Sequence, residues 1–224
     1  MFTIKDFNIK LINPEEVEKF IERQGSFSVV CYNTPKEKAE QVGEHCLQSG
    51  HFSGSRHLFF IFELKCVPRS AVDQAVRHNI GFVTNVQSLR YCNKDGKVSL
   101  YAAPEIANDI YLSNALHNYE AQVQANYDYF QNNMKAEGYN NEQANEIART
   151  VLPIGIATEC NIAVNIECLI HLANVRLCTR AELPIRTIVK EMVRQVVAIE
   201  PRYKPYLVPN CKKLGYCPEG KDCK

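Results

Sequence analysis

Between Pro104 and Gly138 the chain carries one apolar stripe, Leu116, Tyr119, Val123, Tyr127, Phe130 and Met134, recurring at three- and four-residue steps. That spacing keeps one face of a long helix apolar, and Gly138 is placed to end it. Three more helices are expected, near 141–151, 158–178 and 180–199, so the second half is mostly helical. The first half mixes both kinds of element. Strands followed by a run of helices define the α+β class, here a mixed antiparallel sheet with a long-helix half.

In the first half, Asn13-Pro14-Glu15-Glu16 reads as a helix start, with Asn13 as cap and the helix running to about Gln24. Ser26–Tyr32 is rich in β-formers and reads as a strand. Thr34-Pro35 opens a helix that breaks at Ser49-Gly50-His51. His57–Cys66 is Phe-rich and alternating, as expected of a strand buried on both faces, and Pro68–His78 reads as a short helix. Ser88–Cys92 and Lys97–Ala103 flank Asn93-Lys94-Asp95-Gly96, a hairpin signal. There is no internal repeat.

Composition bounds the partners. The 224 residues suit a single domain, expected over 1–207, with a Cys-containing tail over 208–224. A net charge of +1 gives no general affinity for nucleic acid or membrane, so any bound anion needs a local cluster of cations. No apolar run reaches the ~20 residues of a membrane span. The start Met1-Phe2-Thr3-Ile4-Lys5-Asp6 lacks the apolar core of a secretory signal, so the expected location is cytoplasmic. Of the ten cysteines, Cys31, Cys46, Cys66, Cys92, Cys160, Cys168 and Cys178 lie in apolar stretches and are expected as reduced, buried residues. Cys211, Cys217 and Cys223 are evenly spaced in the tail. Metal motifs pair their cysteines more closely, so no metal site is assigned; zinc or an iron–sulfur cluster would need a fourth ligand.

Two segments carry chemistry. Gln74-Ala75-Val76-Arg77-His78-Asn79 and Asn85-Val86-Gln87-Ser88-Leu89-Arg90-Tyr91 gather guanidinium, imidazole, amide and hydroxyl groups around a helix-to-strand passage. Such groups can converge on a phosphate, although a solvated polar turn has the same composition. Further on, Asn165, Leu169, Leu172 and Arg176 share one helical face beside the apolar arc of Ile162, Ile166, Ile170 and Ala173. A polar residue at each end of that face fits a helix lining a long cleft. Arg176 also fits a helix C-terminus, where its charge meets the dipole.

Arg77-His78, Asn85 and Ser88-x-Arg90-Tyr91 resemble the signature of flavin-dependent thymidylate synthases, Arg-His-Arg-x7-Ser. Val30-Cys31-Tyr32, Gly50-His51, Arg149-x2-Leu152-Pro153, Asn165, Arg176, Ala181, Ile185 and Arg186 follow the family in order, so the likeness covers roughly residues 28 to 195. The chain departs from the pattern at Asn79, usually Arg; in one extra residue before Ser88; at Val86, usually Glu; and at Glu167, in a place often basic.

The resemblance implies the thymidylate synthase-complementing protein fold, a homotetramer, and methylation of dUMP at C5. FAD reduced by NADPH supplies the hydride, and methylenetetrahydrofolate is the folate cosubstrate. It implies flavin contacts from His51, Ser53, Arg77, His78, Asn79, Asn165 and His171. Nucleotide contacts are implied for Gln74, Arg77, Gln87, Ser88, Arg90, Arg149 and Arg176. Arg176 would be catalytic, its fixed charge stabilising the pyrimidine as hydride adds. Ser88 would bind phosphate rather than act as a nucleophile. Two alternatives stay open: a sister enzyme using UMP or another pyrimidine nucleotide, motivated by Val86, and a non-catalytic nucleotide-binding homologue, motivated by Asn79.

Overall fold

The computed structural model describes residues 1–94 and 96–220, with Tyr32 described in its backbone alone. In chain order the elements are β1 (Asn8–Leu11), α1 (Pro14–Glu18), α2 (Phe20–Tyr32), α3 (Ala39–Ser49), β2 (Phe60–Pro68), α4 (Arg69–Ala75) and β3 (Phe82–Val86). Then come α5 (Pro104–Ala107), α6 (Ile110–Ala136), α7 (Asn141–Ala148), β4 (Ala157–Val164), α8 (Ile166–Arg176), α9 (Leu183–Ile199) and α10 (Asn210–Leu214). The four strands form one antiparallel sheet in the order β1-β2-β4-β3. This is the α+β class expected from the sequence. Among the described residues, no helix is long and apolar enough to cross a membrane.

The chain separates into two compact units, one of Met1–Asn8, Leu64–Asp73 and Asn85–Cys160, the other of Ile9–Glu63, Gln74–Thr84 and Asn161–Lys224. In the first, α6 starts at Asp109, whose carboxylate accepts from Tyr111 N and Leu112 N, and the chain turns away at Gly138 with φ +90. Its buried stripe is Val123, Tyr127 and Gln131. Tyr119 and Phe130, expected in the stripe, are 48% and 39% exposed. A strict four-residue step picks only one edge of the apolar face; the other edge has no partner here.

The second unit is built around Phe20, Phe60 and Tyr203, all fully buried, with the Phe20 and Phe60 rings 4.9 Å apart. Burying each such ring contributes about 1.5–3 kcal/mol. Helices α2 and α3 meet through glycines. A Cβ on Gly25 would lie 1.7 Å from Ala39 O, and one on Gly43 would lie 1.9 Å from Ile21 O. Only backbone-to-backbone contact fits there.

Several sequence expectations are corrected. Ser26–Tyr32 is helix rather than strand: it continues α2, whose Gly25 packs backbone to backbone against Ala39 and Gly43 of α3, a cue that β-propensity does not contain. Asn13 makes no cap bond; its amide instead pairs with Phe59 O and Ile61 N at 2.8 Å each. The helix expected near 158–178 starts only at Ile166; Ala157–Val164 form β4, whose pattern buries Thr158, Cys160, Ile162 and Val164. Among the described residues no hairpin joins Ser88–Cys92 to Lys97–Ala103: the first is a turn, and Leu100 and Tyr101 make isolated bridges to Ile156 and Phe2. Asp95 of that signal lies outside the described residues. Of the seven cysteines expected to be buried, Cys46, Cys160 and Cys168 are, whereas Cys66 and Cys178 are partly exposed and Cys31 and Cys92 exposed. Cys211 and Cys217 are partly buried free thiols, and Cys223 lies outside the described residues.

Candidate active site

After α4 the chain turns through Arg77, His78, Asn79 and Ile80 before β3 begins. What holds this turn is Asn165. Its side chain accepts from Cys168 N at 2.9 Å, capping α8, and its backbone N donates to Gly81 O at 3.0 Å. Gly81 has φ +71, and a Cβ there would lie 2.3 Å from the Asn165 amide. Glycine is thus required both by conformation and by space. The turn is thereby locked onto the N-terminus of α8.

A cavity of about 280 Å³ results, lined by Arg77, His78, Asn79 and Ile80 from the turn and by Glu167, Cys168 and His171 from α8. The His78 and His171 rings meet edge to face with centroids 5.0 Å apart. Arg176 donates from Nε to His78 Nε2 at 3.1 Å. A guanidinium only donates, so Nε2 must accept, and the imidazole is neutral with its proton on Nδ1. Burial, then the neighbouring Arg176 and His171, lower the His78 pKa to about 4. Glu167 is answered by Arg56, Nε to Oε2 at 3.0 Å and Nη2 to Oε1 at 3.4 Å. With that carboxylate compensated, Arg77 and Arg176 leave the cavity's local charge positive. The Cys168 thiol is pushed up to about 11 by burial, so it stays protonated.

The neutral His78 ties pH to stability. Unfolded, it titrates near 6.5; folded, near 4, so between these values the unfolded chain binds more protons. Its contribution is full above pH 6.5 and is lost as the pH falls toward 4. The melting temperature should therefore drop over that interval more in the wild type than in His78→Gln. Parallel curves for the two proteins would refute the coupling.

The structure groups the sequence-predicted residues unevenly. Arg77, His78, Asn79 and His171 line the cavity, and Arg176 reaches it through His78. Asn165 is 2% exposed and serves as the cap beneath it. The face drawn through Asn165 and Arg176 is not a cleft face: Leu169 and Leu172 are 0% and 1% exposed, in the core. The cavity face of α8 runs instead through Glu167, Cys168 and His171, an i, i+4 and i, i+3 relation that would have been legible had the periodicity been centred on His171. Cys168 and Ile80 were missed. Elsewhere in the same unit, Gln74 bonds to Glu182, His51 is exposed with its ring 6.4 Å from His45, and Ser53 is exposed and makes no cap bond.

The remaining predicted residues fall in the other unit. Gln87 Oε1 accepts from Lys94 Nζ at 3.1 Å, and Ser88 Oγ accepts from Arg90 N at 3.4 Å. Arg90 pairs with Glu142 and, at 2.9 Å, with Glu146, both on α7, while Asn145 donates to Arg90 O at 2.8 Å. Arg149 ends α7 and makes no ion pair among the described residues.

The site is thus a small cavity with a compensated acid, one exposed guanidinium and two imidazole rings, offering charged donors and ring edges to a ligand. The family model described as Thymidylate synthase complementing protein matches residues 15–202, and the chain belongs to that family, the flavin-dependent thymidylate synthases, which are methyltransferases. Flavin-dependent thymidylate synthases of Nitratidesulfovibrio vulgaris and Clostridium tetani are 32% and 30% identical to it, each over 83% of this chain and over 75% and 76% of their own lengths. That of Pyrococcus furiosus is 30% identical over 76% of this chain and 69% of its own. Among solved structures, the UMP/dUMP methylase PolB from Streptomyces cacaoi bound with 5-Br UMP superposes with a TM-score of 0.61, covering 94% of this chain and 95% of that one at 15% identity. That likeness concerns the fold.

Proposed function

We propose that this chain methylates dUMP at C5, using methylenetetrahydrofolate as carbon donor and NADPH as reductant, as a single catalytic domain over 1–207. The observation that carries the reading is the cavity formed by Arg77, His78, Asn79 and His171 at a family-matched position, with Arg176 held by His78. The cavity fits part of FAD: the Arg77 guanidinium suits phosphate, its ring edges suit a flat heterocycle, and about 280 Å³ is below the size of a whole dinucleotide site. When bound, FAD supplies the hydride.

Arg77 and Asn79 would hold phosphate or ring edges, His171 would border the ring system, and His51 and Ser53 would close the outer side. Asn165 acts by fixing the turn. Gln74, Gln87, Ser88, Arg90 and Arg149 would receive the nucleotide. For Arg90 this means exchanging Glu142 and Glu146 for a phosphate, a swap of one set of charge-assisted bonds for another. Arg176 places its charge at the pyrimidine edge. A homotetramer agrees with the limited size of the cavity and with the exposed Ile110, Tyr111, Leu112 and Tyr129 of α6.

The protein stripped of ligand should take up FAD stoichiometrically, seen as the flavin absorbance bands after gel filtration. A colourless protein after incubation with excess FAD would defeat the reading. Val86, apolar immediately before Gln87 and Ser88, supports a second reading in which UMP is the substrate. Parallel assays with dUMP and UMP decide between them.

A further inference from the structure

A second cavity in the same unit, of about 510 Å³, lies on another side of α8: Ile170 lines it, whereas the next residue, His171, lines the first. Its size falls among small-molecule sites. Phe52, Ile170 and Tyr206 give it an apolar wall, and Lys212 and Lys213 of α10 stand at its edge. No carboxylate lines it. Both lysines are exposed, and neither ammonium is paired among the described residues. Adjacent cations beside a low-dielectric wall focus a positive potential into the space. Phe52 and Ile170 lie within the family match, whereas Tyr206, Lys212 and Lys213 follow residue 202, where that match ends.

We propose that this cavity is a binding site for a small aromatic anion, a carboxylate or phosphate carried on a flat ring. The ring lies against Tyr206 and Phe52, and the charge meets Lys212 and Lys213. An aromatic face and an ammonium pair together select for both properties: a bare anion has nothing to bury, and a neutral ring leaves the cations unanswered.

The test is a fluorescence titration of the full chain with 1-anilinonaphthalene-8-sulfonate, beside the uncharged N-phenyl-1-naphthylamine. The double variant K212E/K213E should weaken the sulfonate by roughly tenfold or more, as two charge reversals imply, with the neutral dye and the melting temperature unchanged. Benzoate and phenyl phosphate as competitors separate the two sources of charge, the better displacer naming the group. Equal sulfonate affinity in wild type and K212E/K213E overturns the proposal. Displacement of the dye by FAD in step with FAD uptake also overturns it, since the dye would then occupy the first cavity. Removal of residues 209–224 should abolish the charge-dependent binding and leave flavin uptake intact. Persistence of that binding without the tail would likewise overturn it.

Discussion

Arg176→Ala is expected to keep its fold, to bind FAD, and to lose about 10²–10³ in the rate of nucleotide methylation. Arg176 ends α8, where a neutral side chain can still complete the last turn. Among the described residues its one side-chain bond is the Nε donation to His78 at 3.1 Å. That contact aims the guanidinium, and in the proposed reaction both Nη atoms would meet charge that grows on the pyrimidine. A preorganised donor of this kind acts in the transition state more than in the ground state, so the loss falls on turnover rather than on binding. Arg176→Lys should recover little, because an ammonium cannot serve His78 and a planar edge together. The measurement is product formed per enzyme in a single turnover with dUMP, alongside flavin content and melting temperature. A wild-type rate in Arg176→Ala would remove Arg176 from the chemistry.

The largest effect on stability is expected at a position with no chemistry. Gly25→Ala should destabilise the protein by about 3 kcal/mol or more, because the new methyl meets backbone rather than a movable side chain. The obstacle is Ala39 O, 1.7 Å from the ideal Cβ, and α2 and α3 must separate to relieve it. For a chain of this size that corresponds to a fall in melting temperature of roughly 10 °C. Gly155→Ala is the control, since a Cβ there meets nothing within 4 Å and its φ is not positive. Equal melting temperatures for the two variants would show that the helices do not touch as described.

One wall of the first cavity was legible in the sequence, and so were most helix ends. Gly50 and Gly138 stop helices because a left-handed backbone is a property of one residue and its neighbours. Arg77, His78 and Asn79 were found because a turn collects polar side chains in consecutive positions, and the structure keeps them consecutive on one wall. His171 was found through the resemblance alone.

Other features depend on what each segment packs against. Ser26–Tyr32 has the composition of a strand, yet it is helix because Gly25 and Gly43 let α2 and α3 approach to backbone contact. Residues 157–164 have enough apolar character for either period, and the sheet neighbours made them β4. Asn165 and Arg176 share a face by count, but Leu169 and Leu172 on that face are core, so the cavity formed on the side of Glu167, Cys168 and His171. Thus the sequence by itself determined which groups are available and where local backbone geometry changes. The tertiary structure decided which face of α8 meets the cavity and the protonation state of His78, because burial and a donor at 3.1 Å depend on residues distant along the chain.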